Sequence, residues 1–203
     1  MKIITTVVGE LGTNCYLVID EETHGAALID PADSPDELSA LIEREGVTLR
    51  YILLTHGHRD HTLAAPAMHE RYPDAAVYIH RLDAGGSGIY HYPLEGVIDG
   101  LRYFSDGDTL PLGSLTVEVL HTPGHTAGSV TLRIADTLFV GDTLFAGSCG
   151  RTDLPGGDPR AMMSSLRRLG LLEGDYKVCP GHMDSTVLSR ERTHNMFLRA
   201  AIS

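Results

Sequence analysis

The chain has 203 residues, 42% of them hydrophobic, and a formal net charge of −11 from 16 Lys+Arg against 27 Asp+Glu. That length and apolar content suit one packed domain, taken here as 1–203. The acidity disfavours phosphate backbones, and no apolar run approaches the ~20 residues that span a bilayer, so neither a nucleic-acid partner nor a membrane is expected.

In chain order, Ile3–Val8, Asn14–Ile19 and Ala26–Ile29 read as strands, rich in β-branched residues and bounded by Gly or Asp. Ser34-Pro35-Asp36-Glu37 is a capping box with Pro at the first helical position. Leu38, Leu41 and Ile42 then share one helical face, and Gly46 suits the stop. A strand is expected at Tyr51–Leu54, a short helix after His61, and a strand at Val77–Ile79. The stretch 84–101, with Gly85-Gly86-Ser87-Gly88 and Tyr90-His91-Tyr92-Pro93, reads as a long loop, its Gly85–Tyr92 part a candidate cover for a site. Strands follow at Leu115–Leu120, Val130–Ile134 and Thr137–Val140, the first alternating Leu115, Val117 and Val119 with Thr116 and Glu118. Asp158-Pro159 opens a helix with Met162, Met163, Leu166 and Leu169 inward and Gly170 at its end. Tyr176–Val178 is the last expected strand, and a third helix runs from near Ser189 toward the C-terminus. Many strands with interspersed helices argue for a mixed α and β sandwich.

The N-terminal residues leave no room for a charged region followed by a long apolar one, so no signal peptide is expected. Cys15, Cys149 and Cys179 are odd in number and form no CxxC, which points to a reduced, cytoplasmic setting.

The chemistry is concentrated at strand ends. His56-Gly57-His58-Arg59-Asp60-His61 follows one strand, His121-Thr122-Pro123-Gly124-His125 another, Gly141-Asp142 a third and Cys179-Pro180-Gly181-His182 a fourth. Strand ends of one sheet can converge, which offers seven metal-type ligands: His56, His58, Asp60, His61, His125, Asp142 and His182. Imidazole and carboxylate without thiolate suit Zn, Mn or Fe in a catalytic site, and seven ligands exceed one open site but fit two ions with a bridging carboxylate. His24, His69, His80 and His194 read as ordinary hydrogen-bonded imidazoles, His121 as a support behind the ligands and His91 as a surface residue.

Thr55-His56-Gly57-His58-Arg59-Asp60-His61 resembles the HxHxDH signature of the metallo-β-lactamase superfamily, and His125, Asp142 and His182 match its remaining ligand motifs in order. The resemblance implies an α/β fold, an αββα four-layer sandwich with the metals at one edge. It implies one ion on His56, His58 and His125, a second on Asp60, His61 and His182, and Asp142 as the bridge. The cofactors are then two divalent ions, zinc first, with iron or manganese as alternatives.

Gly147-Ser148-Cys149-Gly150-Arg151-Thr152-Asp153-Leu154-Pro155-Gly156-Gly157-Asp158 resembles a loop of short, bacterial glyoxalase II-like (hydroxyacylglutathione hydrolase-like) enzymes. That similarity implies hydrolysis of a small-molecule thioester by a metal-bound hydroxide. Asp60 would orient the hydroxide, and Arg151 would hold a substrate carboxylate unless it pairs with Asp153 or Asp158. Cys149 is expected to be structural, because metal hydroxide chemistry needs no thiol nucleophile, and Cys179 to be buried. Only 183–203 follow His182, whereas full-length glyoxalase II adds a helical glutathione-binding region, so the acyl group and thiol stay open. The alternatives are a persulfide dioxygenase with a single iron on His56, His125 and Asp142, a lactonase of the same fold, and a binding module with closed, structural metals.

Overall fold

The computed structural model describes residues 1–86 and 90–203. One sheet holds β1 (Lys2–Val8), β2 (Thr13–Ile19), β3 (Gly25–Ile29), β4 (Thr48–Leu53), β5 (Ala76–His80) and β6 (Arg102–Phe104) in that order. β1, β2 and β3 pair antiparallel, and β3 to β6 pair parallel. The parallel pairs are crossed by α1 (Pro35–Glu45), then by α2 (Arg59–Thr62) and α3 (Ala65–Arg71); α4 (Arg81–Ala84) follows β5.

The second sheet begins with the meander β7 (Thr109–Leu112), β8 (Leu115–His121), β9 (Val130–Ile134) and β10 (Thr137–Gly141). A short ribbon, β11 (Leu144–Phe145) with β12 (Ser148–Cys149), leads to α5 (Pro159–Gly170). β13 (Lys177–Pro180) then lies parallel to β10, with Leu138 opposite Val178, and β14 (Thr186–Val187) closes that edge. The chain ends in α6 (Leu188–His194) and α7 (Met196–Ile202).

Alternation along the strands sorts side chains into three buried layers. Leu17 and Ile19 pack with Leu38, Ile42 and Met68 of the helices outside the first sheet. Tyr16 and Val18 instead pack with Val117, Val119, Leu132 and Phe139 between the sheets. Leu138 and Val140, flanking Phe139, meet Met162, Leu166, Leu169 and Leu198 on the outer side of the second sheet. The result is helices, sheet, sheet, helices, the four-layer αββα arrangement expected from the resemblance. No helix among the described residues is long and apolar enough to cross a membrane.

Several local expectations change. The capping box at Ser34 does not form: Ser34 sits in the left-handed region (φ 54) and its side chain makes no capping hydrogen bond, while Asp33 accepts from the Ser34 N–H. Gly46 does stop α1 at φ 64, a conformation a Cβ would strain, and its N–H reaches the Ile42 and Glu43 carbonyls. The short helix expected after His61 is α3, and a further helical turn, α2, holds His61 itself. The expected C-terminal helix is two helices, because Asn195 is extended and its Oδ1 caps α7 by accepting from Phe197 N and Leu198 N. Of the expected loop over 84–101, Leu94 and Ile98 are buried in the core, and Leu94 N–H bonds to Ala84 O. Within the candidate cover Gly85–Tyr92, residues 87–89 lie outside the described residues.

Candidate metal centre

Four strands deliver the ligands to one edge, where the sheets are stitched together. Val130 N–H donates to Thr55 O, and Asn14 N–H donates to Gly181 O. The Tyr16 hydroxyl donates to Pro180 O at 2.6 Å, and Asn14 Nδ2 bridges Pro180 O and Met183 O. These bonds fix the loop after β4 to β9 and the loop after β13 to β2, joining the two sheets before any ion is considered.

All seven predicted ligands meet there. His56 Nε2 lies 3.1 Å from His58 Nδ1, which lies 2.8 Å from His125 Nε2. His61 Nε2 lies 3.2 Å from His182 Nε2, and His182 Nε2 lies 3.2 Å from Asp60 Oδ2. Asp142 faces both groups, with Oδ2 3.4 Å from His125 Nε2 and 3.6 Å from His182 Nε2, and Oδ1 3.5 Å from His61 Nε2. Donor atoms of His56, His58 and His125, and those of Asp60, His61 and His182, each lie within 4.8 Å of one another; so do those of His56, His61 and Asp142.

The outer ring nitrogens decide what the inner ones can do. His125 Nδ1 donates to Arg151 O at 2.8 Å, and His61 Nδ1 donates to Asp30 Oδ2 at 3.0 Å. His56 Nδ1 donates to Thr55 Oγ1 at 3.1 Å, and Thr55 Oγ1 in turn donates to Asp30 Oδ2 at 2.6 Å. With these protons held outward, the inner nitrogens of His56 and His125 face His58 Nδ1 with their lone pairs at close range. Buried Asp142 Oδ1 has no hydrogen-bond partner among the described residues. Converging lone pairs and an unpartnered buried carboxylate oxygen fit divalent cations, and two groups sharing Asp142 are consistent with a dinuclear site.

The electrostatics agree. Burial, reinforced by the imidazoles of His61 and His125, pushes His56 well below the ordinary histidine value, and burial with the neighbouring His125 takes His58 to about 3. His61 moves the other way: burial opposes its charge, but the Asp142 and Asp30 carboxylates carry it up to about 9. Burial likewise works against the Asp60 carboxylate, yet its bond to His182 and the charge on His61 hold it at about 2. His56 and His58 are thus poised as neutral ligands, whereas His61 holds a proton where a cation would sit.

Asp30 and Asp83 were not singled out in the sequence. Asp83 accepts from Gly57 N at 2.9 Å, Thr126 Oγ1 at 2.6 Å and Gly128 N at 2.8 Å, so it ties the His56–His58 turn to the loop that carries His125. Asp30 carried a readable signal, since it too stands one residue past a strand end. Asp83 carried none, because its partners are mostly backbone amides far away in sequence.

The match to the metallo-β-lactamase superfamily model spans residues 8–182, covering every one of these ligands. The chain belongs to the metallo-β-lactamase superfamily. It is 36% identical to an uncharacterized protein of Mycobacterium leprae over 94% of this chain and 95% of that one. It is 34% identical to the hydroxyacylglutathione hydrolase GloC of Haemophilus influenzae over 92% of this chain and 93% of that one. Among solved structures, the B3 metallo-β-lactamase BLEG-1 superposes with a TM-score of 0.83 at 32% identity, covering 97% of this chain and 99% of that one. The protein TTHA1623, solved in a di-iron-bound form, superposes with a TM-score of 0.82 at 37% identity, covering 96% and 99%.

This metallo-β-lactamase centre opens into a cleft of about 540 Å³, lined beside the ligands by Leu11, Tyr90, Phe145, Cys149, Arg151 and Leu154. Arg151 is exposed and clamps Asp153 with two bonds of 2.7 and 2.8 Å. Burial pushes the half-buried Cys149 thiol up, the opposite of an activated nucleophile. His121 stands outside the ligand groups, donates to Ala127 O at 2.9 Å and stacks on His80, bracing the loop that carries His125. His91 is nearer than a surface residue need be: its backbone bridges to His58, and the two rings lie 4.8 Å apart.

Proposed function

We propose that this chain hydrolyses thioesters with two metal ions, in the manner of a hydroxyacylglutathione hydrolase. The observation that carries the reading is the pair of three-donor groups joined by Asp142 at the wall of one open cleft. The named activity of the Haemophilus influenzae relative supports the thioester as substrate. A mononuclear iron site on His56, His125 and Asp142 would leave Asp60, His61 and His182 without a task, so the geometry favours two ions over that alternative.

In this reading His56, His58 and His125 would hold one ion and Asp60, His61 and His182 the other, with Asp142 lying between the two groups. Ions held there supply positive charge to the acyl oxygen and acidify a coordinated water. Asp30 and the Arg151 carbonyl keep the imidazole protons pointing outward, so each inner nitrogen stays a ligand through the reaction. Asp60, with a side chain 28% exposed against 10% for Asp142, is the carboxylate that orients the attacking water. The departing thiolate needs no acid, because thiols ionise near pH ~8.5. Arg151 contacts a substrate carboxylate by exchanging Asp153 for it, an exchange that an exposed ion pair permits. Three thiols unpaired with one another support a reducing, cytoplasmic setting.

The test is turnover of a panel holding a generic acyl thioester, a lactone and a β-lactam, by metal-loaded wild type and His58→Ala. Thioester cleavage faster than cleavage of the other two, and lost in His58→Ala, is expected. Preferential lactone or β-lactam cleavage would move the chain to another branch of the superfamily, and full activity in His58→Ala would reject the site.

A further inference from the structure

A second cavity, of about 410 Å³, adjoins the cleft and shares Leu11, Asp60 and Tyr90 with it. Ala32 and Leu63 give it an apolar lining, and Arg59, Asp33 and Glu10 give it charges of both signs. Arg59 stands between the ligands His58 and Asp60, its backbone N–H held by Tyr90 O at 2.7 Å. Its guanidinium lies 6.0 Å over the Tyr92 ring, and among the described residues it makes no ion pair. Neither Asp33 nor Glu10 makes an ion pair among the described residues, although both line the same cavity as Arg59. Arg151, the other cation at the cleft, already has Asp153 as a partner, whereas Arg59 has none among the described residues.

Opposite charges that line one cavity without joining each other suit a ligand that brings both. A guanidinium binds a carboxylate through two parallel bonds. A carboxylate beside it takes an ammonium. The chain's net charge of −11 repels a purely anionic head, whereas a zwitterion feels little net field. We infer that this cavity receives the zwitterionic α-amino acid end of the substrate, with its carboxylate on Arg59 and its ammonium on Asp33. The ligand then passes Leu11 and Tyr90, and its reacting carbonyl reaches the cleft at Asp60. That last step rests on the hydrolase reading, while binding of the head does not.

The experiment is calorimetric titration of the metal-loaded protein with S-methylglutathione, a thioether with an ammonium and a carboxylate on one carbon and no thioester to hydrolyse. Wild type should bind it, and acetylating its amino group should weaken binding at least roughly tenfold, the loss of one charged hydrogen bond. Arg59→Ala should weaken binding by a similar factor, and Arg59→Lys, which keeps the charge beside His58 and Asp60, should recover part of it. Asp33→Asn should erase the discrimination against the acetylated ligand. Absence of binding to wild type, equal binding of both ligands, or unchanged affinity in Arg59→Ala overturns the inference. Binding as described in a protein that cleaves no thioester would reject the hydrolase reading and leave this one standing; thioester cleavage with binding indifferent to Arg59 would do the reverse.

Discussion

Asp30 Oδ2 accepts the Nδ1 proton of His61 at 3.0 Å, and through Thr55 Oγ1 the same oxygen also steadies His56. One buried carboxylate therefore orients an imidazole in each ligand group. Its backbone sits at φ 49, a conformation Asp tolerates better than most residues, which places the side chain under both rings. Asp30→Ala should lower metal affinity about 10–100-fold, with the larger loss at the His61 group. Asp30→Asn, which keeps the conformation and an acceptor oxygen, should lose less. Competition against a chromogenic chelator reads both, and wild-type affinity in Asp30→Ala would contradict the role.

The histidine shifts set the pH behaviour of the metal-free protein. His56 and His58 titrate lower when folded than unfolded, so stability rises with pH up to the unfolded histidine value near ~6.5. His61 titrates higher when folded, so its contribution is complete below ~6.5 and is lost as pH climbs through about 9. Thermal unfolding of chelator-treated protein should therefore show a maximum near pH ~6.5. Metal affinity should keep rising with pH toward about 9, since the ion must displace the His61 proton. A melting temperature that climbs steadily through pH 9 would contradict the assignment.

Asp83 holds two ligand loops together through its hydrogen bonds to Gly57 N, Thr126 Oγ1 and Gly128 N. Asp83→Ala leaves two buried amides and a hydroxyl without their charged partner. The expected cost is about 3 kcal/mol of stability, read by urea unfolding, with weaker metal binding at the His56, His58 and His125 group. A change within experimental error would mean that water replaces the carboxylate freely.

Gly181 lies where a Cβ would collide with Asp142 Oδ1 and His61 Cε1. Gly181→Ala should displace the Asp142 and His61 side chains while leaving the outer helices intact. Metal stoichiometry should fall by about one ion with little change in circular dichroism. Full retention of metal would mean that the loop after β13 gives way.

The candidate ligands were legible because His56, His58, His125, Asp142 and His182 stand in the turns after strands of β-branched or aromatic residues, with Asp60 and His61 on the helical turn that follows the first of them, and sheet geometry gathers such positions at one edge. The three-layer core was legible in outline from the same alternation. What sequence left hidden depends on partners distant along the chain. Asp83 is recognised only through Gly57, Thr126 and Gly128. Ser34 looks like a helix cap until its left-handed backbone turns the hydroxyl away. Asn195 sits inside an apparently continuous helical stretch, yet its side chain prefers to cap the next helix. The strands β6, β7 and β14 are too short to carry a period of their own.

Metal content per chain, measured by elemental mass spectrometry on protein purified without chelator, tests the central claim most directly. The account predicts about two ions in wild type and about one in His182→Ala, because His182 belongs to only one of the two three-donor groups. A single ion in wild type, unchanged in His182→Ala, would contradict the dinuclear centre and with it the proposed hydrolase.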